Sequence, residues 1–104
     1  MNVLSRTPDG DAIVRAGSGL GDTARPHHRL ILKEVNGPLE DGALYLFSNK
    51  HGGRIYRRVC WTGSDTVKLV PEYDHGPGTI RLQWPEDKGE WEVLARVDRV
   101  LKPL

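Results

Sequence analysis

The chain has 104 residues, enough for one domain with a core and too few for two ordinary ones. Its 15 basic and 14 acidic residues leave a formal net charge of +1, without the dense basic footprint of an independent nucleic-acid binder, and no apolar stretch approaches the roughly 20 residues that span a bilayer. Seven prolines and twelve glycines interrupt the chain too often for helices of several turns, so the expected class is all-β.

Residues 1–11, MNVLSRTPDGD, are polar and turn-rich and read as a flexible N-terminal arm. They lack the apolar stretch of a signal peptide, which sets the expectation of a cytoplasmic protein. From residue 12 to 104 a single β-domain is expected. Ala12–Arg15 reads as a short strand, and the following AGSGLGDTARP as an extended loop. Arg29–Val35, RLILKEV, reads as a strand closed by Asn36-Gly37-Pro38, where glycine admits positive φ and proline fixes its own.

Asp41–Trp61, DGALYLFSNKHGGRIYRRVCW, is the clearest element: two apolar and aromatic runs around a glycine-bearing turn, a β-hairpin. Thr62–Asp65 is a second turn and Thr66–Val70 a third meander strand. Pro71–Gly78 is a loop, since its prolines and glycines do not suit a central strand. Thr79–Gln83 alternates as a strand with one wet face, and Trp84–Glu90 is a polar connection. In the last segment Trp91, Val93, Ala95 and Val97 recur at period two, which favours a strand to about Val100 over a helix through Leu94, Val97 and Leu101.

Residue types that could carry chemistry do not converge on a site. His27-His28 are neighbours, and neighbours on a strand point to opposite faces; His51 and His75 fall in loops, and no metal-ligand spacing occurs. Solvated loop histidines are the better reading, and no cofactor or metal is expected. The pairs Glu40-Asp41 and Glu86-Asp87 read as solvated loop carboxylates. Cys60 cannot form an internal disulfide, as suits a reducing compartment, and its apolar strand context reads as core. Lys50, Arg54, Arg57 and Arg58 form a local basic cluster that reads as a solvated strand face, with an acidic partner as the functional alternative. There is no phosphate loop, dinucleotide fingerprint or Gly-x-Ser-x-Gly elbow.

Four segments in order resemble the C-terminal domain of LexA and of phage repressors, a family of self-cleaving serine-lysine peptidases. Val14-Arg15-Ala16-Gly17-Ser18-Gly19 is similar to the segment holding the family's Ala-Gly cleavage site. Leu39–Leu46 resembles the strand that follows the nucleophile. Arg54–Val59 with Val67–Val70 is similar to the lysine-bearing strand and its successor, and Ile80–Val97 to the closing strand. The resemblance covers roughly residues 12 to 101 and implies a small LexA-like, signal-peptidase-like twisted β-barrel or sandwich of about six to seven mostly antiparallel strands around the central hairpin.

The departures decide what the resemblance implies about activity. Counting back from Asp41-Gly42 puts Glu34 at the serine position, and no serine lies between Gly19 and Phe47. Arg57 stands at the lysine position, and a guanidinium does not lose its proton near neutrality, so it cannot serve as a base. With both halves of the dyad replaced, the implied role is that of a catalytically dead relative. Residues 1–11 are too short for the family's helix-turn-helix domain. What the family retains without cleavage and DNA binding is protein–protein contact: a homodimer, or a complex with a repressor-type protein, with no direct nucleic acid and no membrane. The alternative is a self-cleaving peptidase with relocated groups, Ser48 attacking the Ala16-Gly17 bond with Lys50 or Lys68 as base.

Overall fold

The structure, a computed structural model, describes residues 3–72, 78–86 and 88–102. Most of the expected Pro71–Gly78 loop, with its His75, and Asp87 of the second acidic pair lie outside the described residues. The strands are β1 (Ser5–Arg6), β2 (Ala12–Arg15), β3 (Arg29–Lys33), β4 (Leu44–Ser48), β5 (Arg54–Trp61), β6 (Thr66–Val70), β7 (Ile80–Gln83) and β8 (Glu92–Leu101). They form one open antiparallel sheet in the order β1-β2-β3-β8-β4-β5-β6-β7.

Two meanders, β1 to β3 and β4 to β7, are joined by the C-terminal strand. β8 pairs with β3 through Leu32↔Val97 and Leu30↔Val100, and with β4 through Leu46↔Ala95 and Phe47↔Val93. Because β3 and β4 each run antiparallel to β8, they run parallel to each other. The connection from Glu34 to Ala43 must therefore cross over β8 before the central hairpin begins.

β4, LYLFS, explains why both sides of the sheet are covered. Antiparallel strands with one wet face alternate apolar and polar residues, but Leu44, Tyr45, Leu46 and Phe47 are all buried. Leu44 and Leu46 belong to a first core with Val14, Leu30, Leu32 and Ala95, closed by Ala16, Leu20 and Ala24 from the loop after β2. Tyr45 and Phe47 belong to a second core with Val59, Val67, Leu69 and Leu39, packed by Trp61, Trp84 and Trp91. Each core lies on one face of the sheet and over one half of it. Loops, not a second sheet, supply the missing layers.

The hairpin forms where its residues predict. Asn49 Oδ1 accepts hydrogen bonds from the backbone N–H groups of His51 (2.9 Å) and Gly53 (2.8 Å), and Gly52 takes the positive φ of 84° that the turn requires. The connection across β8 is fastened just as specifically. The Tyr45 hydroxyl accepts from the Glu40 backbone N–H at 2.9 Å, and Trp61 donates its indole N–H to the Leu39 carbonyl at 2.8 Å. The Trp61 backbone N–H donates to Asp41 Oδ1 at 2.8 Å.

Several expectations need correction. The architecture is a single open sheet, with eight strands where six to seven were expected; the addition is β1, whose Ser5 and Arg6 lie in the arm and pair with Ile13 and Ala12. β3 ends at Lys33, and Val35 packs into the second core from the crossing connection. In β8 the simple alternation fails, because register shifts opposite Leu46/Phe47 and Ile31/Leu32 bulge the strand. Val93 consequently faces the second core while Ala95 and Val97 face the first, and Leu94 is left 41% exposed. Cys60 is exposed rather than core: it lies on the face of β5 away from the second core, opposite Lys68.

Phe47, fully buried and edge-on to Trp84 with ring centroids 6.1 Å apart, should be far more costly to truncate than Leu94. Phe47→Ala is expected to lose about 3–5 kcal/mol in urea unfolding, whereas Leu94→Ala stays within about 0.5 kcal/mol of wild type; equal losses would contradict the bulge assignment.

Candidate functional site

On the face of the second core, one cross-strand row runs Lys33↔Arg96↔Tyr45↔Arg57. The crossing connection lies above it, with Glu40 paired to Arg96 at 2.9 Å. Arg57 is 8% exposed; its Nε donates to the Gly78 carbonyl at 3.0 Å and another guanidinium N–H to the Tyr56 carbonyl at 2.8 Å. A planar cation with several fixed donors suits this work of tying the β5 backbone to the segment before β7.

Glu34, the other replaced dyad position, is exposed just past the end of β3. Between β3 and β5 stand β8 and β4, three strand spacings that place the two backbones roughly 14 Å apart. No ion pair joins Glu34 to Arg57 among the described residues.

The groups of the alternative site are also dispersed. Ala16 is buried, donates its backbone N–H to the His28 carbonyl at 2.9 Å, and follows the last residue of β2 beside the start of β3. Gly17 is exposed with φ of 72°. Ser48 ends β4, which runs parallel to β3, and so sits toward the opposite end of the strands. Ser48 pairs with Arg54 while Lys68 pairs with Cys60, and these two positions along β5 are roughly 20 Å apart. Lys50 lies in the exposed hairpin turn.

The local basic cluster is divided by the pleat. Arg57 points to the second core's face, while Arg54 and Arg58 share the opposite one. Arg58 is ion-paired with Glu72, through Nε at 2.7 Å and a second guanidinium nitrogen, and also donates to the Gly42 carbonyl at 2.8 Å.

A larger charge pattern is visible once the strands are known. Every described strand except β4 carries at least one Lys or Arg, and the acidic residues on strands are Glu92 and Asp98, both on β8. The remaining acids are on connections. Two regions of the sheet that no described loop covers are thereby basic. On β5 to β7, Lys68 stands directly opposite Arg81. At the outer end of β2 and β3, Arg15 stands directly opposite Arg29; further along, Ile31 is buried, and Lys33 and Arg96 are matched by Asp11 and, from the crossing connection, Glu40. Like charges directly opposite are unfavourable. Sequence-level counting missed both pairs because a net charge of +1 averages strands with loops.

Among the described residues no group of His, Cys, Asp and Glu could hold a metal ion, and no helix is long and apolar enough to cross a membrane. His27 and His28 meet edge-on with ring centroids 4.6 Å apart. His28 Nδ1 accepts the Arg25 backbone N–H at 3.0 Å, which requires the unprotonated nitrogen. Desolvation, then the charges of His27, Lys102 and Arg25, hold its imidazole below the ordinary range. No protein-family model, curated protein or solved structure matches the chain.

Two outcomes follow from this geometry. Because Ser48, Lys68 and the Ala16-Gly17 bond do not converge, prolonged alkaline incubation should leave the intact mass unchanged; fragments ending at Ala16 would contradict it. Because the folded His28 pKa lies below its unfolded value of 6.5, its contribution to stability is complete above that pH and is lost as pH falls through the folded value. The loss of stability on acidification, read from urea midpoints, should be smaller in His28→Asn, which keeps an acceptor without titrating.

Proposed function

We propose that the chain is a non-catalytic β-domain of the LexA and phage-repressor kind that acts through protein–protein contact in the cytoplasm, as a homodimer or bound to a repressor-type protein. The lineage rests on the four ordered sequence segments. The non-catalytic character is supported by Glu34 and Arg57 at the dyad positions and by the hydrogen bonds that commit Arg57 to holding backbone together.

The observation that carries the contact role is the face of β5, β6 and β7 that no described loop covers. Lys68 and Arg81 stand opposite each other there, with Arg54 further along β5, and no ion pair reaches any of them among the described residues. A directly opposed like-charge pair opposes folding by a few tenths of a kcal/mol to about 1 kcal/mol. An acidic surface laid over this face reverses that sign. A second copy of the chain has acids to offer, because apart from Glu92 and Asp98 its acids lie on the connections, Asp65 and Glu86 among them. Contact of basic strands with acidic loops gives a complementary and salt-sensitive interface.

Light scattering at low ionic strength should give twice the 11.6 kDa chain mass, falling toward one chain as salt is raised. The double variant Lys68→Glu with Arg81→Glu should be monomeric at low salt, with a melting temperature close to that of the wild-type chain in high salt, where it too is monomeric. A wild-type chain that stays monomeric at every concentration and binds no purified repressor-type protein contradicts the reading.

A further inference from the structure

The second uncovered basic half-face ends in a cleft that the contact role does not use. It is about 400 Å³ in volume and is lined by His27, Arg29, Leu101 and Lys102. Three different parts of the chain meet here: the loop before β3, the first residue of β3, and the end of β8. Among the described residues, all the lining side chains but Leu101 are basic types, and none is acidic.

The register adds a fourth basic group. Arg15 is the direct partner of Arg29. The next pair outward, Ala16 with His28, is hydrogen-bonded through the Ala16 N–H at 2.9 Å. Hydrogen-bonded and non-hydrogen-bonded pairs alternate along an antiparallel ladder, so Arg15 and Arg29 form a non-hydrogen-bonded pair, the type in which side chains are closest. Two guanidinium stems thus leave the same sheet face about 4.5–5.5 Å apart. No ion pair reaches either Arg15 or Arg29 among the described residues. The positive field is felt locally, since the charges of His27 and Lys102 help to depress the neighbouring His28.

We propose that this cleft is a phosphate-binding site, in which Arg29, Lys102 and His27 surround the anion, Arg15 reaches it from the adjacent strand, and Leu101 supplies an apolar floor beside it. Guanidinium groups match the geometry of phosphate oxygens and form short charge-assisted bonds to them. A dianion between the two arginines also relieves their repulsion, which the chain's own acids leave standing. The apolar floor and the volume favour a phosphomonoester or pyrophosphate group carried on a small organic molecule over a bare ion. The phosphates of a nucleic-acid strand present related chemistry, so the test separates the two sources. This site shares no residue with the Lys68 and Arg81 face and stands independently of it.

The test is a titration of the ¹⁵N-labelled full chain with inorganic phosphate, pyrophosphate and a short single-stranded DNA, each at constant ionic strength with chloride as reference. The expected result is saturable shifts centred on Arg15, His27, Arg29 and Lys102, with pyrophosphate the tightest and able to displace the DNA strand. Arg29→Gln and Lys102→Gln should each weaken pyrophosphate about tenfold or more, while Lys68→Gln leaves it unchanged. Both of these substituted residues are exposed, and a preserved spectrum elsewhere shows that each variant is folded. Shifts that chloride reproduces, shifts spread equally over Arg54, Lys68 and Arg81, or DNA binding that pyrophosphate does not compete would overturn the assignment.

Discussion

Strand β4 cannot present either of its faces to water. Tyr45 and Phe47 are large and apolar on one side and Leu44 and Leu46 on the other, so four successive residues demand cover from both directions. An open sheet without helices meets that demand with its connections. The loop after β2 inserts Ala16, Leu20 and Ala24 on one face, and the Glu34–Ala43 crossing brings Leu39 to the other. The order of the sheet is compatible with the same constraint. With β8 between β3 and β4, β4 gains apolar neighbours on its second edge, Ala95 beside Leu46 and Val93 beside Phe47.

Covering each face over a different half leaves two half-faces bare, and the chain's charge distribution follows that division. Along β2, β3, β5, β6 and β7 arginine or lysine stands on the side away from the main core residues, and on β3 Arg29 and Lys33 flank a buried Ile31 there. Arg57 is the exception that clarifies the dyad position. It belongs to the covered side, where its hydrogen bonds to Gly78 and Tyr56 join β5 to the β7 entry. Its chemistry there is that of a rigid multiple donor. Arg15, Arg29, Lys68 and Arg81 belong to bare sides, where the same residue types meet each other across the ladder. A strand sequence of this kind makes binding surfaces as a by-product of burying its core, and the proposed contacts for protein and phosphate use one such surface each.

Much of this fold is legible in the residues. Asn49 and the two glycines near it locate the hairpin turn, and β2, β6 and most of β5 lie where their β-branched and aromatic runs predict. What local pattern does not carry is the pairing of distant strands. The bulges that send Val93 and Ala95 to opposite faces arise from matching β8 to two neighbours at once, a condition absent from its own periodicity. Cys60 looks like a core residue by its neighbours Val59 and Trp61, yet its exposure depends on which half-face the loops cover. The candidate sites were hidden for the same reason: Arg15 and Arg29, or Lys68 and Arg81, become neighbours only through register, and Arg57 separates from Arg54 and Arg58 only through the pleat.

The two cores on opposite faces stand or fall together because they share β4 and β8. All three tryptophans, Trp61, Trp84 and Trp91, pack on the second core, so their fluorescence reports that face, while Leu30 is fully buried in the first. The direct measurement is urea unfolding of Leu30→Ala followed by tryptophan fluorescence and by far-ultraviolet circular dichroism at one protein concentration. A shared framework predicts coincident transitions, both displaced from wild type by about 2–5 kcal/mol. A fluorescence midpoint left at the wild-type value while the dichroism transition moves would show two independent cores instead of a shared framework.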